Sequence, residues 1–368
     1  MTSLSLPAPL RRTDALLWLA VAVLVPLGLL LVSSASAVEG AGRLTPEARR
    51  QALYALGGLV VMGVTARIDY RWLQPTTRPL FLGTLALLGA VVAVGVAQHG
   101  AQRWLAVGEF TVQPSEFAKL TLAVTLSSYA SRRRPSLAAV LVSAGGLGAL
   151  AALVLLQPDL GTVVVLCGTW LVLLVAWGVP WRLLGALTAS GAALIPLALA
   201  VAVPDYQRER IAVFLDPSRD PLGSGFNLRQ VELALGSAGM GGHGLYSGAQ
   251  SHLDSVAARS SDFMFGFLGA ELGLAGALLL LSVLTLVVVR GFSVASAAPD
   301  AFGRLLAATL TATVLVQGAV NVAVNLRLFP ATGIPLPFVS QGGSSLVVML
   351  IAIGLIQSVA SRSGRYRG

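Results

Sequence analysis

Long apolar stretches recur along this chain of 368 residues, and they constrain its fold more than any other feature. A helix that crosses a bilayer needs about 20 mainly apolar residues. The stretches that meet this need are residues 15–36, 51–68, 79–97, 115–131, 136–157, 161–178, 182–203, 265–289, 303–327 and 341–361. The mean hydropathy of +0.80 also lies outside the range of soluble domains. We therefore predict an all-α polytopic membrane protein with about ten transmembrane helices.

The first apolar stretch resembles a secretion signal. Arg11 and Arg12 precede it, and the small residues SSASA at 33–37 end it. Its apolar run is too long for a signal, and further stretches follow. We expect a retained first helix, with cleavage as the alternative.

The arginines predict the orientation, because short cytoplasmic loops of membrane proteins hold an excess of Lys and Arg. If the amino terminus is inside, most arginines outside the long loop fall on the inner side. The short outer loops hold only Arg43, Arg49, Arg50, Arg103 and Arg327. We therefore expect both termini to be cytoplasmic. The net charge of +9 is then mainly a topology signal. No basic stripe interleaves with aromatic residues, which argues against a nucleic-acid partner.

One long interruption, residues 204–264, separates the seventh and eighth stretches and lies outside in this orientation. It is rich in Gly, Pro and charge, but RQVELALGSAGMG at 229–241 has apolar residues at helical spacing. We expect short helices on the outer surface, within a single membrane domain over 1–368. Cys167 is the single cysteine, and the three histidines lack metal-ligand spacing, so these residues indicate no metal site.

Ionisable residues in apolar stretches are costly and are therefore candidate functional residues. Glu116 and Lys119 are three apart on one helix face and can pair. Either they form a packing ion pair or they bind an anionic or polar substrate. Asp159 follows Pro158 at a helix break, where capping and catalysis are both open.

Arginines and irregular backbone mark two further segments. Arg208, Arg210 and Arg219 in the long loop suit phosphate binding, although such clusters are also common as solvated surface. Near the carboxyl end, three prolines at 330, 335 and 337 forbid regular helix before Gly-Gly-Ser-Ser at 342–345. Irregular backbone at membrane depth survives where it lines a cavity, so we expect one here.

Two carboxylates lie in SSDFMFGFLGAELGLAG at 260–276. Asp262 precedes an apolar helix, near its positive end, and a simple helix cap is the alternative to a functional role. Glu271 is nine residues later and on a different helix face. The two carboxylates are therefore not an obvious acid/base pair.

Five motifs in series resemble the SEDS family, the group that contains FtsW, RodA and SpoVE. They are GAQRWLAVGEFTVQPSEFAKL, QPDLGT, FLDPSRDPLGSGFN, SSDFMFGFLGAELGLAG and PATGIPLPFVSQGGSS, in the family's order and spacing. The resemblance extends over nearly the whole chain and leans slightly toward FtsW over RodA. It implies a ten-helix fold in the bacterial cytoplasmic membrane.

The resemblance also implies an activity: peptidoglycan glycosyltransfer that polymerises lipid II beside a class B penicillin-binding protein and other division or elongation proteins. It implies that Asp262 is the catalytic residue and that Glu116, Lys119 and Asp159 lie in or near the same cavity. Arg103, Arg208, Arg210 and Ser344 are the further candidate substrate contacts. No cofactor is certain, and a divalent cation, Mg or Mn, is compatible with diphosphate chemistry.

The sequence departs from the family pattern beside Asp262. Ala257, Ala258 and Ser260 stand in a segment where a glutamate and a histidine are usual, and Gln341 replaces a usual tyrosine. A local metal or proton-relay role for the missing pair is therefore in doubt. A lipid II flippase and a non-catalytic scaffold are the alternative functions, and a division or elongation role is left open.

Overall fold

The computed structural model describes residues 13–36, 45–98, 101–107, 110–201, 205–220, 223–246 and 260–363. Helices dominate these residues. They are α1 (Ala15–Ser36), α2 (Pro46–Arg67), α3 (Thr77–Val94), α4 (Pro114–Ser131), α5 (Leu137–Leu156), α6 (Leu160–Trp177), α7 (Trp181–Val201), α8 (Asp205–Leu215), α9 (Ser224–Ser237), α10 (Met264–Ser296), α11 (Ala301–Asn325) and α12 (Gly343–Ala360).

Each of the ten predicted apolar stretches forms a long helix. The first seven stretches are α1 to α7, and the last three are α10 to α12. Among the described residues, seven helices are long and apolar enough to cross a membrane: α1, α3, α5, α6, α10, α11 and α12. The polytopic all-α fold is confirmed, and the count of ten spans stays a prediction.

A small antiparallel sheet between α3 and α4 was not predicted. β1 (Val96–Gln98) pairs with β2 (Ala101–Val107), which pairs with β3 (Phe110–Val112). The predicted third stretch, residues 79–97, therefore extends beyond the end of α3 and into β1. α3 ends at Val94 because Gly95 has the extended backbone of φ −64° and ψ 148°.

The long loop contains the expected short helices, α8 and α9. α9 packs on the start of α10, where two glycines leave room for its apolar side chains. A Cβ at Gly266 would lie 2.5 Å from Val231 Cγ1, and one at Gly269 would overlap the Leu235 side chain. Val231 itself is buried in the core. This packing places the long loop against the helices that follow it.

Two apolar clusters form the core. One joins α1, α10, α11 and α12 through residues such as Leu24, Phe267, Leu310 and Ile353. The other joins α3 to α6 through residues such as Leu88, Leu122, Leu150 and Leu166. α4 and α11 contribute residues to both clusters, so these two helices join the two parts of the core.

A charged cluster at one end of the bundle ties three segments together. The Asp300 carboxylate caps α11 through Gly303 N at 2.8 Å and accepts from Tyr70 Oη at 2.6 Å and Arg71 Nε at 2.9 Å. Arg362 Nε, after α12, lies 3.2 Å from Asp69 Oδ2. Burial and the Asp300 carboxylate raise the pKa of the Tyr70 phenol. Partial burial opposes ionisation of Asp300, but these donors outweigh it and leave the pKa of Asp300 lowered.

α10 is broken at Gly273, whose φ of 66° and ψ of −165° are not helical. A turn of the long loop fills the gap. His243 N and Gly244 N donate to Ala270 O and Glu271 O, each at 2.9 Å, and Leu274 N donates to Gly239 O at 3.0 Å. The loop therefore supplies main-chain partners that the interrupted helix lacks.

Candidate active site

Asp262 lies in the turn before α10 and not in the helix itself. α10 begins at Met264, and its N-cap is Phe263, whose side chain makes no capping bond. The alternative of Asp262 as a simple helix cap is therefore wrong. The half-buried Asp262 carboxylate accepts from Ser261 Oγ at 3.0 Å.

The Asp262 turn is fixed by side chains of α11 and of the segment 326–342. Asn321 Nδ2 and Asn325 Nδ2 donate to the main-chain Asp262 O at 3.1 and 3.0 Å. Ser340 Oγ donates to Ser261 O at 2.6 Å. The segment 326–342 contains no helix, as its prolines predicted. Irregular backbone from two parts of the chain thus meets at Asp262.

Asp262 and Arg210 face the same glycine turn. Gly333 has φ 71°, and a Cβ at this position would lie 3.5 Å from Asp262 Oδ2 and 3.8 Å from Arg210 Nη1. Arg210 Nη1 also donates to Ala331 O at 3.3 Å. The Asp262 carboxylate, from the turn before α10, and the Arg210 guanidinium, from α8, therefore approach the same point at Gly333.

A cavity of about 120 Å³ opens beside this turn, as the irregular segment predicted. Arg210 and Arg103 are its charged lining residues, one from α8 and one from β2. Its other walls include Leu160, Ile211 and the segment 329–332. Two guanidinium groups in a mainly apolar cavity suit a ligand with phosphate oxygens and an apolar part.

Asp159 is both a helix cap and a partner of Arg103. Its Oδ1 accepts from Thr162 N at 3.1 Å, so the predicted cap of α6 is confirmed. Its Oδ2 accepts from Ser115 Oγ at 3.0 Å, and Arg103 Nη1 lies 3.8 Å from Oδ1. Arg103 Nε also donates to Gln157 O at 3.1 Å. The aspartate therefore helps to hold Arg103 at the cavity wall.

Glu116 and Lys119 form the predicted pair on α4. Lys119 Nζ lies 2.7 Å from Glu116 Oε2 and donates to Gln317 Oε1 of α11 at 2.6 Å. The side chains of Lys119 and Glu116 are only 1% and 3% exposed, so no solvent-filled space reaches them. Gln317 continues the contact through Pro335 O at 2.9 Å. The pair thus connects α4, through Gln317 of α11, to the irregular segment 326–342.

The remaining candidates lie apart from the cavity lining. Ser344 is buried at the start of α12, where its Oγ accepts from Gln113 N at 3.0 Å. Arg208 is exposed on α8. Glu271 is fully buried, and its Oε1 accepts from Ser34 Oγ and from Tyr246 N. Asp262 and Glu271 are therefore not a pair, as expected.

Sequence reasoning missed the polar face of α11. Its members repeat every four residues and are all buried: Thr309, Thr313, Gln317, Asn321 and Asn325. The spacing was visible in the sequence, since polar residues are rare in apolar helices and a period of four keeps them on one face. Three of them, the amides, hold Lys119 and Asp262.

The described residues contain no group of three or more His, Cys, Asp and Glu side chains that could hold a metal ion. The described residues therefore do not supply a set of metal ligands, and they do not support the hypothesis of a divalent cation.

Comparisons with known proteins show the family of this chain. A family model for FtsW, RodA and SpoVE, described as cell cycle protein, matches residues 14–365. Peptidoglycan glycosyltransferase MrdB of Escherichia coli is 38% identical over 309 residues, 82% of each chain. Stage V sporulation protein E of Bacillus subtilis is 35% identical over 366 residues, 96% of this chain and 98% of its own. A solved structure from a peptidoglycan synthase complex that coordinates polymerization and crosslinking has a TM-score of 0.81 and 32% identity, covering 95% of this chain and 97% of its own.

Proposed function

The chain belongs to the family of FtsW, RodA and SpoVE, and on this premise we propose how its residues carry out glycosyl transfer. It is a peptidoglycan glycosyltransferase, and its substrate is lipid II, a disaccharide-peptide on a polyprenyl diphosphate. The observation that carries the assignment of residues is the approach of Asp262 and Arg210 to one turn beside the cavity.

Asp262 is the general base in this proposal. Its carboxylate takes the proton from a sugar hydroxyl of the acceptor. The hydroxyl oxygen then forms a bond to the anomeric carbon of the donor, from the face opposite the diphosphate. The bond from that carbon to the diphosphate oxygen breaks, and the diphosphate leaves with the electron pair. The anomeric centre is inverted.

Arg210 and Arg103 stabilise the departing charge in this proposal. Both line the cavity, and guanidinium groups bind phosphate oxygens by paired hydrogen bonds. Lys119 was the other candidate for this role, but it is not among the cavity-lining residues, and its side chain is only 1% exposed beside Glu116. We therefore assign Lys119 and Glu116 to the positioning of α4 against α11. No step is assigned to a divalent cation.

The location of the site supports an outer-face reaction. With both termini cytoplasmic, the long loop, Asp262 and the cavity all lie on the outer side, where a class B penicillin-binding protein cross-links the product. The similar solved structure comes from a complex that couples these two reactions, which supports such a partner.

A fluorescent fusion distinguishes the two cellular roles, at the septum for division or at the side wall for elongation.

The test is polymerisation of purified lipid II by the chain and its Asp262→Asn variant. We expect the variant to lose about 10²- to 10⁴-fold in rate, because the amide cannot accept the proton. Asp216→Asn is the matched control, since Asp216 is an exposed aspartate of the same long loop and contacts Arg219. Its rate should equal that of the wild type.

Two outcomes would contradict the proposal. Full polymerisation by Asp262→Asn would remove Asp262 as the base. A wild-type chain that never polymerises lipid II would also contradict it: translocation of lipid II into vesicles by that chain would then support transport, and the absence of both activities would support a scaffold.

A further inference from the structure

The start of α10 lacks a normal first hydrogen bond, and Asn325 of α11 stands in its place. In a helix that included Asp262, Gly266 N would donate to Asp262 O. Here Gly266 N donates to Asn325 Oδ1 at 2.9 Å, and Asn325 Nδ2 donates to Asp262 O at 3.0 Å. One carboxamide therefore bridges the two atoms that would otherwise bond to each other.

The bridge determines where the helix begins. Phe267 N donates to Phe263 O at 2.9 Å, and Phe263 is the N-cap, so Asp262 lies outside α10. Glycine at 266 is needed, because a Cβ there would lie 3.1 Å from Asn325 Oδ1 and 2.5 Å from Val231 Cγ1. Without the bridge, an aspartate at this position would be well placed to cap the helix.

Asn321 connects the same carbonyl to the facing segment. Its Nδ2 donates to Asp262 O at 3.1 Å and to Ile334 O at 2.7 Å. Ile334 follows Gly333, the turn that Asp262 Oδ2 and Arg210 approach. Asn321 and Asn325 are 1% and 4% exposed, so no water competes for these bonds. The distance between the Asp262 turn and the Gly333 turn is thus set by one amide group.

We propose that Asn325 and Asn321 are positioning residues for glycosyl transfer, which keep Asp262 out of α10 so that its carboxylate faces the Gly333 turn. The inference rests on the proposed role of Asp262 as base. Neither asparagine is among the residues that line the cavity, so we expect their effect to act through Asp262. A misplacement of about 1 Å at a reacting group costs about 10²-fold in rate.

The experiment measures kcat and KM for lipid II polymerisation in Asn325→Ala and Asn325→Asp. Alanine removes the bridge and lets Gly266 N bond to Asp262 O. Aspartate keeps the acceptor for Gly266 N but removes the Asn325 donor to Asp262 O, leaving the donor from Asn321. We expect kcat to fall about 10- to 100-fold in both, with KM within about threefold of the wild type.

Thr311→Val is the matched control. Thr311 is also fully buried on α11, and its hydroxyl donates only within the helix, to Ala307 O at 2.7 Å. Thr311→Val removes a buried polar group from the same helix without touching the Asp262 turn, and it should leave kcat unchanged. If the Asn325 variants do not yield folded protein, Asn321→Asp, which removes the donor to Asp262 O and Ile334 O, decides the question by the same readout.

The outcomes separate this inference from the proposed function. Unchanged kcat in the Asn325 variants, or a loss that Thr311→Val shares, overturns the positioning role. If Asp262→Asn is inactive in the same assay, only the positioning role is lost. If Asp262→Asn polymerises at the wild-type rate, both proposals fail.

Discussion

The Glu116 and Lys119 pair allows a test that separates packing from substrate binding. Lys119 Nζ lies 2.7 Å from Glu116 Oε2, and both side chains are almost completely buried. With an effective dielectric constant of about 20, the attraction is about 6 kcal/mol. Removing both ions from water costs several kcal/mol each, so the intact pair contributes little net stability. Removing one partner leaves an uncompensated buried charge.

We therefore expect Lys119→Met and Glu116→Met each to lower the free energy of unfolding by about 3–5 kcal/mol. The double variant Glu116→Met/Lys119→Met should cost less than either single change. Its remaining cost is about 1–3 kcal/mol, because Gln317 Oε1 loses the donor that now lies 2.6 Å away. Unfolding in detergent, followed by denaturant or heat, gives these differences as a double-mutant cycle.

The same variants report on function. If the pair only holds α4 against α11, the double variant regains both stability and lipid II polymerisation. If Lys119 contacts the diphosphate, the double variant regains stability but stays inactive. Costs that simply add in the double variant would refute the argument from an uncompensated charge.

Two further changes test the cap and the charged cluster. Asp159→Ala should lower the free energy of unfolding by about 2–4 kcal/mol, because α6 loses its cap and Ser115 loses a buried acceptor. Asp159→Asn keeps an acceptor for Thr162 N and should lower it less. Thermal unfolding compares the two variants, and equal losses of stability would contradict the capping role. The lowered pKa of Asp300 stabilises the fold above the ordinary carboxyl pKa of about 4, and this stability is lost as pH falls through the lowered value. The stability difference between wild type and Asp300→Asn should therefore be constant from about pH 5 to 8 and shrink below about pH 4, and a difference that does not change with pH would contradict the assignment.

The sequence was sufficient for the helices, because a bilayer accepts only segments that satisfy their own backbone. Hydrophobic length therefore located α1 to α7 and α10 to α12, with most ends within three residues, although α2 begins five residues before its predicted stretch and α10 ends seven residues after its own. The break at Gly273 could not be predicted, since its partners come from a turn 29 to 34 residues earlier in the chain. The sheet was missed because β1 continues the apolar stretch of α3.

The candidate site was predicted in part. Local spacing was enough for the Glu116 and Lys119 pair and for the Asp159 cap. The approach of Arg210 to Asp262 was not predictable from spacing, since it depends on how α8 folds back over the turn at Gly333. Asn321 and Asn325 were visible as polar residues at a period of four, but their role depends on a contact between α10 and α11.

The break in α10 has a consequence for how the protein is made. The turn at residues 239–244 precedes α10 in the chain, so the main-chain groups that complete the broken helix are synthesised before the helix itself. A chain in which this turn did not reach α10 would leave main-chain groups of the broken helix without partners in lipid, so stable insertion of α10 depends on the placement of the preceding loop.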